Sequence, residues 1–497
     1  MAAIFPLLKK TVIFVHRWMG VVFCSLFFLW FASGIGMMYW DYPLVTSADR
    51  LLREGALNAL QVKLLPEEAY ARLESGHGPG EVRLLTLDGR PAYRFHNEGR
   101  ESIVYADDGE AVTSCPPDLT LRIASEWTGR PAATAKQEVK NEEDQWTVSG
   151  EFRALRPLRK YSWADGQQVY VSTVTCEVVQ YTTRMSRLGA YLGPIPHWLY
   201  FTPLRRRAAL WSHVVIWAAG LGTAAALLGL LVGVWIYSPS KRYRYEESPS
   251  SIPYTGQKRW HMVLGLTFGA LACTWAFSGM LSMDPFPHLE SGHSDVSSEQ
   301  LSRALRGTLA SLAPFAARTP QQVLLSLAPD FRPKELELAW AMGRPVYFAT
   351  AAPGQTLIIP VAGQETAEFD RQTMIDALQK AAQPYKITEA RLVTRYESYY
   401  VDRRHLLPLP AIFVEFNDAE RSAYYVDPKT ARIVESYNSH SRWNRWLYHG
   451  LHSIDLPWLY RHRPAWDLVT LMLLLGGMAL CVTALILAAK VVQRSFR

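Results

Sequence analysis

The chain has few of the residues that carry self-contained chemistry. Its 497 residues include five cysteines. None belongs to a C-x-x-C-H or paired C-x-x-C pattern, which excludes covalent c-type haem attachment and a thiolate zinc site. A nucleophile elbow, a phosphate loop and a dinucleotide fingerprint are also missing. So are broken spans with intramembrane carboxylates, which lowers the reading as a transporter. Mean hydropathy is close to zero, which suits neither a compact soluble enzyme nor a pure membrane bundle.

What is present is segregated. Four apolar runs, 11–40, 208–237, 260–283 and 466–490, are each long enough to cross a hydrocarbon core of about 30 Å as a helix. Two long polar segments, 41–207 and 284–465, and one short loop, 238–259, separate them. Lys9, Lys10, Lys241, Arg242, Arg244, Lys258, Arg259, Lys490, Arg494 and Arg497 flank the runs on one side, predicted to be the cytosol. Arg205, Arg206, Arg207, Arg461 and Arg463 lie on the other side, against the rule. The first run has aromatic flanks and no small-residue cleavage site, so it reads as an uncleaved anchor. The net charge of +7 is largely span-flanking and points to membrane lipid phosphates rather than nucleic acid.

The chain also repeats itself. "HRWMGVVFCSLFFLWFASGIGMM" (His16 to Met38) and "HMVLGLTFGALACTWAFSGMLSM" (His261 to Met283) share eight of 23 positions without a gap. "GRPAY" at Gly89 returns as "GRPVY" at Gly343. At a constant offset of 255, Tyr170-Val171 matches Tyr425-Val426, Ser186-Arg187 matches Ser441-Arg442, His197 matches His452, and Trp211 matches Trp466. The unit is span, outer domain, span, occurring twice. Tandem units have parallel topology, so corresponding histidines fall at one depth about an axis along the membrane normal.

The outer segments read as α+β. "EVRLLTLDGRPAYRFH" and "SAYYVDPKTARIVES" have hairpin patterns, and "FDRQTMIDALQKAA" has helical spacing behind an aspartate. Cys115 and Cys176 stand in the first outer segment as a candidate disulfide if it is extracytoplasmic. Cys24, Cys273 and Cys481 read as small apolar span residues.

On a helix, His16 shares a face with Gly20, Phe23, Phe27, Trp30 and Gly34, and His261 with Gly265, Phe268, Ala272, Trp275 and Gly279. Glycine one turn from an imidazole leaves a flat surface that a porphyrin requires. One such pattern is more often helix packing; two in register point to function, because ionisable groups in a membrane are costly. His197 and His452 form the second, outer set, with His449 three residues before His452. His213, just inside the second run, has Leu468 as its counterpart and breaks the symmetry. Two imidazoles per iron suit an electron-transferring haem, whereas zinc wants four close protein ligands. Arg17, Lys258 and Arg259 near the inner set, and the five outer arginines, are candidates for haem propionates. His77, His96, His405 and His440 stand singly in the outer segments, and His288 and His293 occupy a polar linker.

The motifs "HRWMGVVF", "GRPAY", "GRPVY", "PHWLYFTPLRRR", "SPSKRYRY", "RWHMVLGLTFGALACTWAFSGMLSMDPFP" and "RWLYHGLHSIDLPWL" resemble the PepSY-associated transmembrane family. That resemblance implies a multi-pass bacterial inner-membrane protein with cytoplasmic termini, four spans and periplasmic PepSY-like α+β domains. It also implies membrane haem b, and electron delivery to a ferric siderophore or other ferric chelate. Haem ligation carries over to His16, His261 and His452, with His449 or His197 completing the set, and the pairing on each iron stays open. The short loop is too small for a flavin or nicotinamide domain, so the electron donor would be a separate cytoplasmic partner, a small reductant or a quinol. A non-enzymatic membrane-anchored partner-binding protein is the main alternative.

Overall fold

The computed structural model describes residues 4–73, 78–97, 99–112, 114–285, 295–402 and 405–495. His77, His288 and His293 lie outside the described residues. Among those described, four helices are long and apolar enough to span a membrane: Leu7–Met37, Ala208–Ile236, Gly256–Leu281 and Arg463–Ser495. A helix satisfies its own backbone polar groups, which hydrocarbon demands. The molecule is a membrane protein with soluble α+β domains.

The spans form a ring in which each packs on two neighbours, with the first opposite the third and the second opposite the fourth. Small residues allow the close approach. A Cβ on Gly476 would lie 2.3 Å from the Phe268 ring, and one on Gly477 would lie 2.1 Å from the Phe31 ring. These glycines of the fourth span therefore receive an aromatic ring from each of the first and third.

The outer segments are joined by one antiparallel sheet. From edge to edge it runs Gln355–Pro360, Arg344–Ala352, Glu335–Ala341, Glu81–Leu87, Arg90–Asn97, Arg100–Tyr105 and Ala111–Val112. Arg306–Gly307 adds an eighth, short strand beside Glu335–Ala341. Leu84, Tyr93 and Phe95 from the first repeat share a core with Leu336, Tyr347 and Ile359 from the second. A sheet cannot be divided by a bilayer, so both outer segments lie on one side, and the first and third spans run in the same direction.

Each repeat adds a four-stranded antiparallel sheet: Lys136–Lys140 to Val178–Thr182 in the first, Ile387–Val393 to Arg432–Tyr437 in the second. The likeness reaches local irregularities. Register shifts occur at Tyr170/Val171 and at the equivalent Tyr425/Val426, and Cys176 and Ala431 both have φ of 54°. Asp370 caps the helix Arg371–Ala381 by accepting from Thr373 N at 2.8 Å. Asp88-Gly89, with φ of 52° and 75°, makes the tight turn between Glu81–Leu87 and Arg90–Asn97. Cys115 and Cys176 form a disulfide, with Cα atoms 5.6 Å apart.

Charge marks the seam between repeats. Arg83 stands opposite Glu337 across the joining strands. The Glu337 carboxylate is buried (8% exposed); it accepts from Arg306, and from Arg432 at 2.8 Å. Burial alone would raise its pKa, but Arg306, Arg432 and Arg83 outweigh that and hold it below the ordinary value. A depressed carboxylate pKa stabilises the fold above the unfolded value, about 4.3 for Glu. That contribution disappears as pH falls through the lower folded value. Glu337→Gln leaves two arginines facing a neutral group, and the expected loss is roughly 3–5 kcal/mol at neutral pH. Denaturant unfolding of the detergent-solubilised protein checks this; the variant should also lose less stability than the parent between neutral and acid pH.

Candidate functional site

Two pairs of imidazoles lie along the centre of the span ring. His16 and His261, near the starts of the first and third spans, face each other across the diagonal, their ring centroids 6.4 Å apart and planes 28° apart. His197 and His452, on the segments entering the second and fourth spans, have centroids 5.9 Å apart and planes at 67°. Each pair joins equivalent residues of the two repeats. Along the first span, His16 is seventeen residues from Ser33, which anchors His197, so the pairs sit about 25 Å apart along the helix direction.

The second nitrogen of each ring is fixed by a partner. His16 Nδ1 lies 3.1 Å from the Ala225 carbonyl oxygen, an acceptor only, so Nδ1 carries the proton. His261 Nδ1 lies 3.1 Å from Thr483 Oγ1. That hydroxyl donates its own proton to the Leu480 carbonyl at 2.7 Å and therefore accepts from the ring. His197 Nδ1 lies 3.1 Å from Ser33 Oγ, which donates to the Leu29 carbonyl at 2.6 Å. His452 Nδ1 lies 3.1 Å from Ser278 Oγ and 3.2 Å from the Trp275 carbonyl. In all four the hydrogen-bond logic places the proton on Nδ1 and leaves Nε2 with a lone pair. Each pair therefore offers two neutral nitrogen donors to a group between them.

Glycine and strained backbone make the room. A Cβ on Gly229 would lie 2.5 Å from His16 Cε1, and one on Gly279 would lie 3.3 Å from His452 Cε1. A Cβ on Gly36 would lie 2.5 Å from the Leu192 carbonyl, so the chain entering the helix Pro194–His197 rests on bare backbone of the first span. Leu199 and Ile454, each two residues past an outer histidine, both have φ of 53°. Bulky residues rarely adopt that conformation. Its recurrence at equivalent positions marks strain held in place by the surrounding turn. Trp211 and Trp466 hold these turns by donating from Nε1 to the Trp198 carbonyl at 2.8 Å and the Ile454 carbonyl at 3.1 Å. A π-helical turn, Arg445–Gly450, precedes His452, an irregularity often found at functional sites.

A cavity of about 370 Å³ adjoins the outer pair, walled by His197, His452, Trp30, Trp211, Trp275 and Tyr448. Beside the inner pair, a Cβ on Gly20 would meet nothing within 4 Å, and one on Gly265 would meet only Leu480 Cδ1 at 3.8 Å. Arg205 sits with its guanidinium 5.1 Å from the Tyr200 ring and 4.5 Å from the Trp211 ring. Both rings line the cavity, and Arg205 Nε is buried with no hydrogen-bond partner.

The other candidates stand apart. His213 is exposed and bonds the Ala209 carbonyl of its own helix at 2.6 Å. His449 is exposed with its ring centroid 4.7 Å from that of Tyr448. Arg17 is exposed over Phe14, and Arg259 stacks on Tyr245 and bonds Ser250 Oγ. Arg206, Arg461 and Arg463 are bound respectively to Glu142, the Tyr396 carbonyl and Asp467. Among the described residues no three metal-ligating side chains converge. The sequence reading missed Ser33, Ser278, Thr483 and Gly229; the two serines were visible as one of the identities between repeats.

Residues 258–497 match the family described as the PepSY-associated TM region. The match begins three residues before His261 and includes His452, so it covers one member of each imidazole pair. No curated protein matches the chain.

Gly229→Ala places a methyl group against the His16 ring. Overpacking of this kind costs roughly 1–3 kcal/mol, although alanine in a helix interior is favoured over glycine by about 1 kcal/mol. The expected net result is lower thermal stability of the purified protein, whereas an increase would show that the His16 ring is not packed there.

Proposed function

We propose that this protein is a transmembrane electron carrier that holds two b-type haems and delivers electrons to a ferric chelate. The observation that supports this best is the pairing of four imidazoles from the two repeats, each with its Nδ1 engaged by a hydrogen-bond partner and its Nε2 left with a lone pair. A metal held between two imidazole nitrogens by bonds of about 2 Å, with each ring centre roughly 1 Å behind its nitrogen, would leave the ring centroids roughly 6 Å apart. The two pairs, at 6.4 and 5.9 Å, fit that spacing. Two donors in each pair, with no cluster of three metal-ligating side chains among the described residues, would suit a metal whose other positions come from a macrocycle, not tetrahedral zinc. The bare surfaces at Gly20 and Gly265 and the outer cavity provide room for such a ring, and the buried, unpartnered Arg205 Nε is a donor for a propionate.

In this reading His16 and His261 hold one haem, and His197 and His452 hold the other. A bound haem supplies reversible one-electron chemistry. The protein's own residues fix ring orientation through Ala225, Thr483, Ser33 and Ser278, which also raises the donor strength of each imidazole. Phe27, Phe31 and Trp275 pack together between the two pairs, with Phe31 and Trp275 centroids 5.6 Å apart. The soluble domains face the periplasm of a bacterial inner membrane, with both termini cytoplasmic. The basic residues of the 238–259 loop and the oxidised Cys115–Cys176 pair support that orientation. Electrons enter near His16 from a cytoplasmic donor or quinol and leave near His452 to the ferric substrate.

The purified protein is expected to show a reduced b-type spectrum with two haems per chain. His16→Ala should retain one haem and abolish transfer to a ferric chelate from the cytoplasmic side, while His213→Ala should keep both haems. Folded, haem-free parent protein would favour the reading of the spans as anchors for partner-binding domains.

A further inference from the structure

One face of the helix Arg184–Leu192, which leads to His197, is apolar and bare. Met185, Leu188, Tyr191 and Leu192 recur at helical spacing, and each is half exposed or more. On the opposite side Gly189 and Ala190 are buried, and a Cβ on Gly189 would lie 2.3 Å from the Trp40 ring. A helix on the surface of a soluble domain turns its apolar stripe toward the core and polar residues outward. This one turns large apolar side chains outward.

Its contacts fix its height. From Gly189 through Leu192 to His197, the chain meets Trp40, Gly36 and Ser33 in turn, so it descends beside the outer end of the first span. Gly36 lies in the last turn of the apolar helix Leu7–Met37, and Tyr39 and Trp40 just beyond it are themselves exposed. The bare face is therefore continuous with the span surface that meets lipid, at the level where aromatic residues mark the edge of a bilayer.

The second repeat does the same with different residues. Trp443 corresponds to Leu188 at the offset of 255 and is 67% exposed in the helix Ser439–Asn444. Leu451, one residue before His452, is also exposed, and its carbonyl accepts from Trp275 Nε1 of the third span at 2.8 Å. The two equivalent places thus share exposed apolar bulk but not shape. A folded partner fitted to one would not fit the other, whereas fluid acyl chains accommodate both.

We propose that the helix Arg184–Leu192 and residues 439–451 are seated in the lipid leaflet on the side of the soluble domains. Their exposed apolar side chains enter the boundary between headgroups and acyl chains. From each seat the chain runs into an outer histidine. The proposal depends on the spans alone and not on what the imidazoles hold.

The test uses three full-length variants in lipid nanodiscs: Leu188→Cys, Trp443→Cys and, in the first soluble domain, Leu60→Cys, where the leucine is 73% exposed. Each carries an environment-sensitive fluorophore on the new thiol. The parent protein, whose free cysteines lie within the spans, gives the background. Lipids with a nitroxide near the headgroup should quench the probes replacing Leu188 and Trp443 and leave the one replacing Leu60 unchanged, and aqueous iodide should do the reverse. Iodide quenching of all three alike overturns the proposal. Protection of the first two from both quenchers also overturns it, because a protein partner or a second copy then covers the face. Should a labelled variant not fold, hydroxyl-radical footprinting of the parent in nanodiscs decides. Met185, Tyr191 and Trp443 are intrinsically more reactive than leucine, yet they should stay unmodified while the exposed Leu60 and Leu325 are modified. Modification of Met185 and Trp443 would place both seats in water and end the proposal.

Discussion

An imidazole inside a bundle of apolar helices cannot turn to water, so its N–H must find an acceptor on a neighbouring helix. That requirement organises the span region. Ala225 and Thr483 meet the inner histidines, and Ser33 and Ser278 meet the outer ones. Once Nδ1 is committed, ring orientation is fixed and Nε2 is left with its lone pair. Glycines follow from the same demand: Gly229 and Gly279 are where a methyl group would strike a ring.

The duplication gives this arrangement its economy. A single unit offers one inner and one outer histidine, and neither has a partner within its own repeat. Two units related by an axis along the bundle bring like residues face to face, at both depths at once. The joining sheet enforces this, because pairing Glu81–Leu87 with Glu335–Ala341 holds the outer segments on one side of the bundle. At the seam the repeats are not alike: Arg83 and Glu337 occupy corresponding places with opposite charge. A like-charged pair directly opposite would repel, so the divergence is what allows the two copies to join.

Much of this was legible in the sequence because membrane physics leaves few choices. Long apolar runs must be helices, and a repeated histidine at a span start is hard to explain by packing. The hairpins at Asp88-Gly89 and after Asp427 followed from turn chemistry, and the helix after Asp370 from its cap. Side-chain direction was not legible. His449 and His452 differ by only three residues, yet only His452 pairs with His197; His449 belongs to the π-helical turn and His452 follows it. The outer arginines looked alike in the sequence, but three of them bind protein groups and only Arg205 keeps a buried nitrogen without a partner. In the sequence Ser33 and Ser278 stand out only as an identity between the repeats, since a serine in a span ordinarily bonds its own helix.

The two imidazole pairs differ in one respect that spectroscopy reads directly. The inner rings are near parallel at 28°, and the outer rings are near perpendicular at 67°. Were each pair to hold a haem iron as proposed, the angle between the imidazole planes would shape the splitting of the iron d orbitals, so parallel and crossed pairs would give different low-spin ferric signals. Low-temperature electron paramagnetic resonance of the oxidised, purified protein should therefore show two low-spin ferric haems of equal amount. One should be rhombic and the other strongly anisotropic, with His16→Ala removing the rhombic signal and His452→Ala the anisotropic one. A high-spin signal, a single low-spin species or the absence of any haem signal would contradict ligation by the two imidazole pairs.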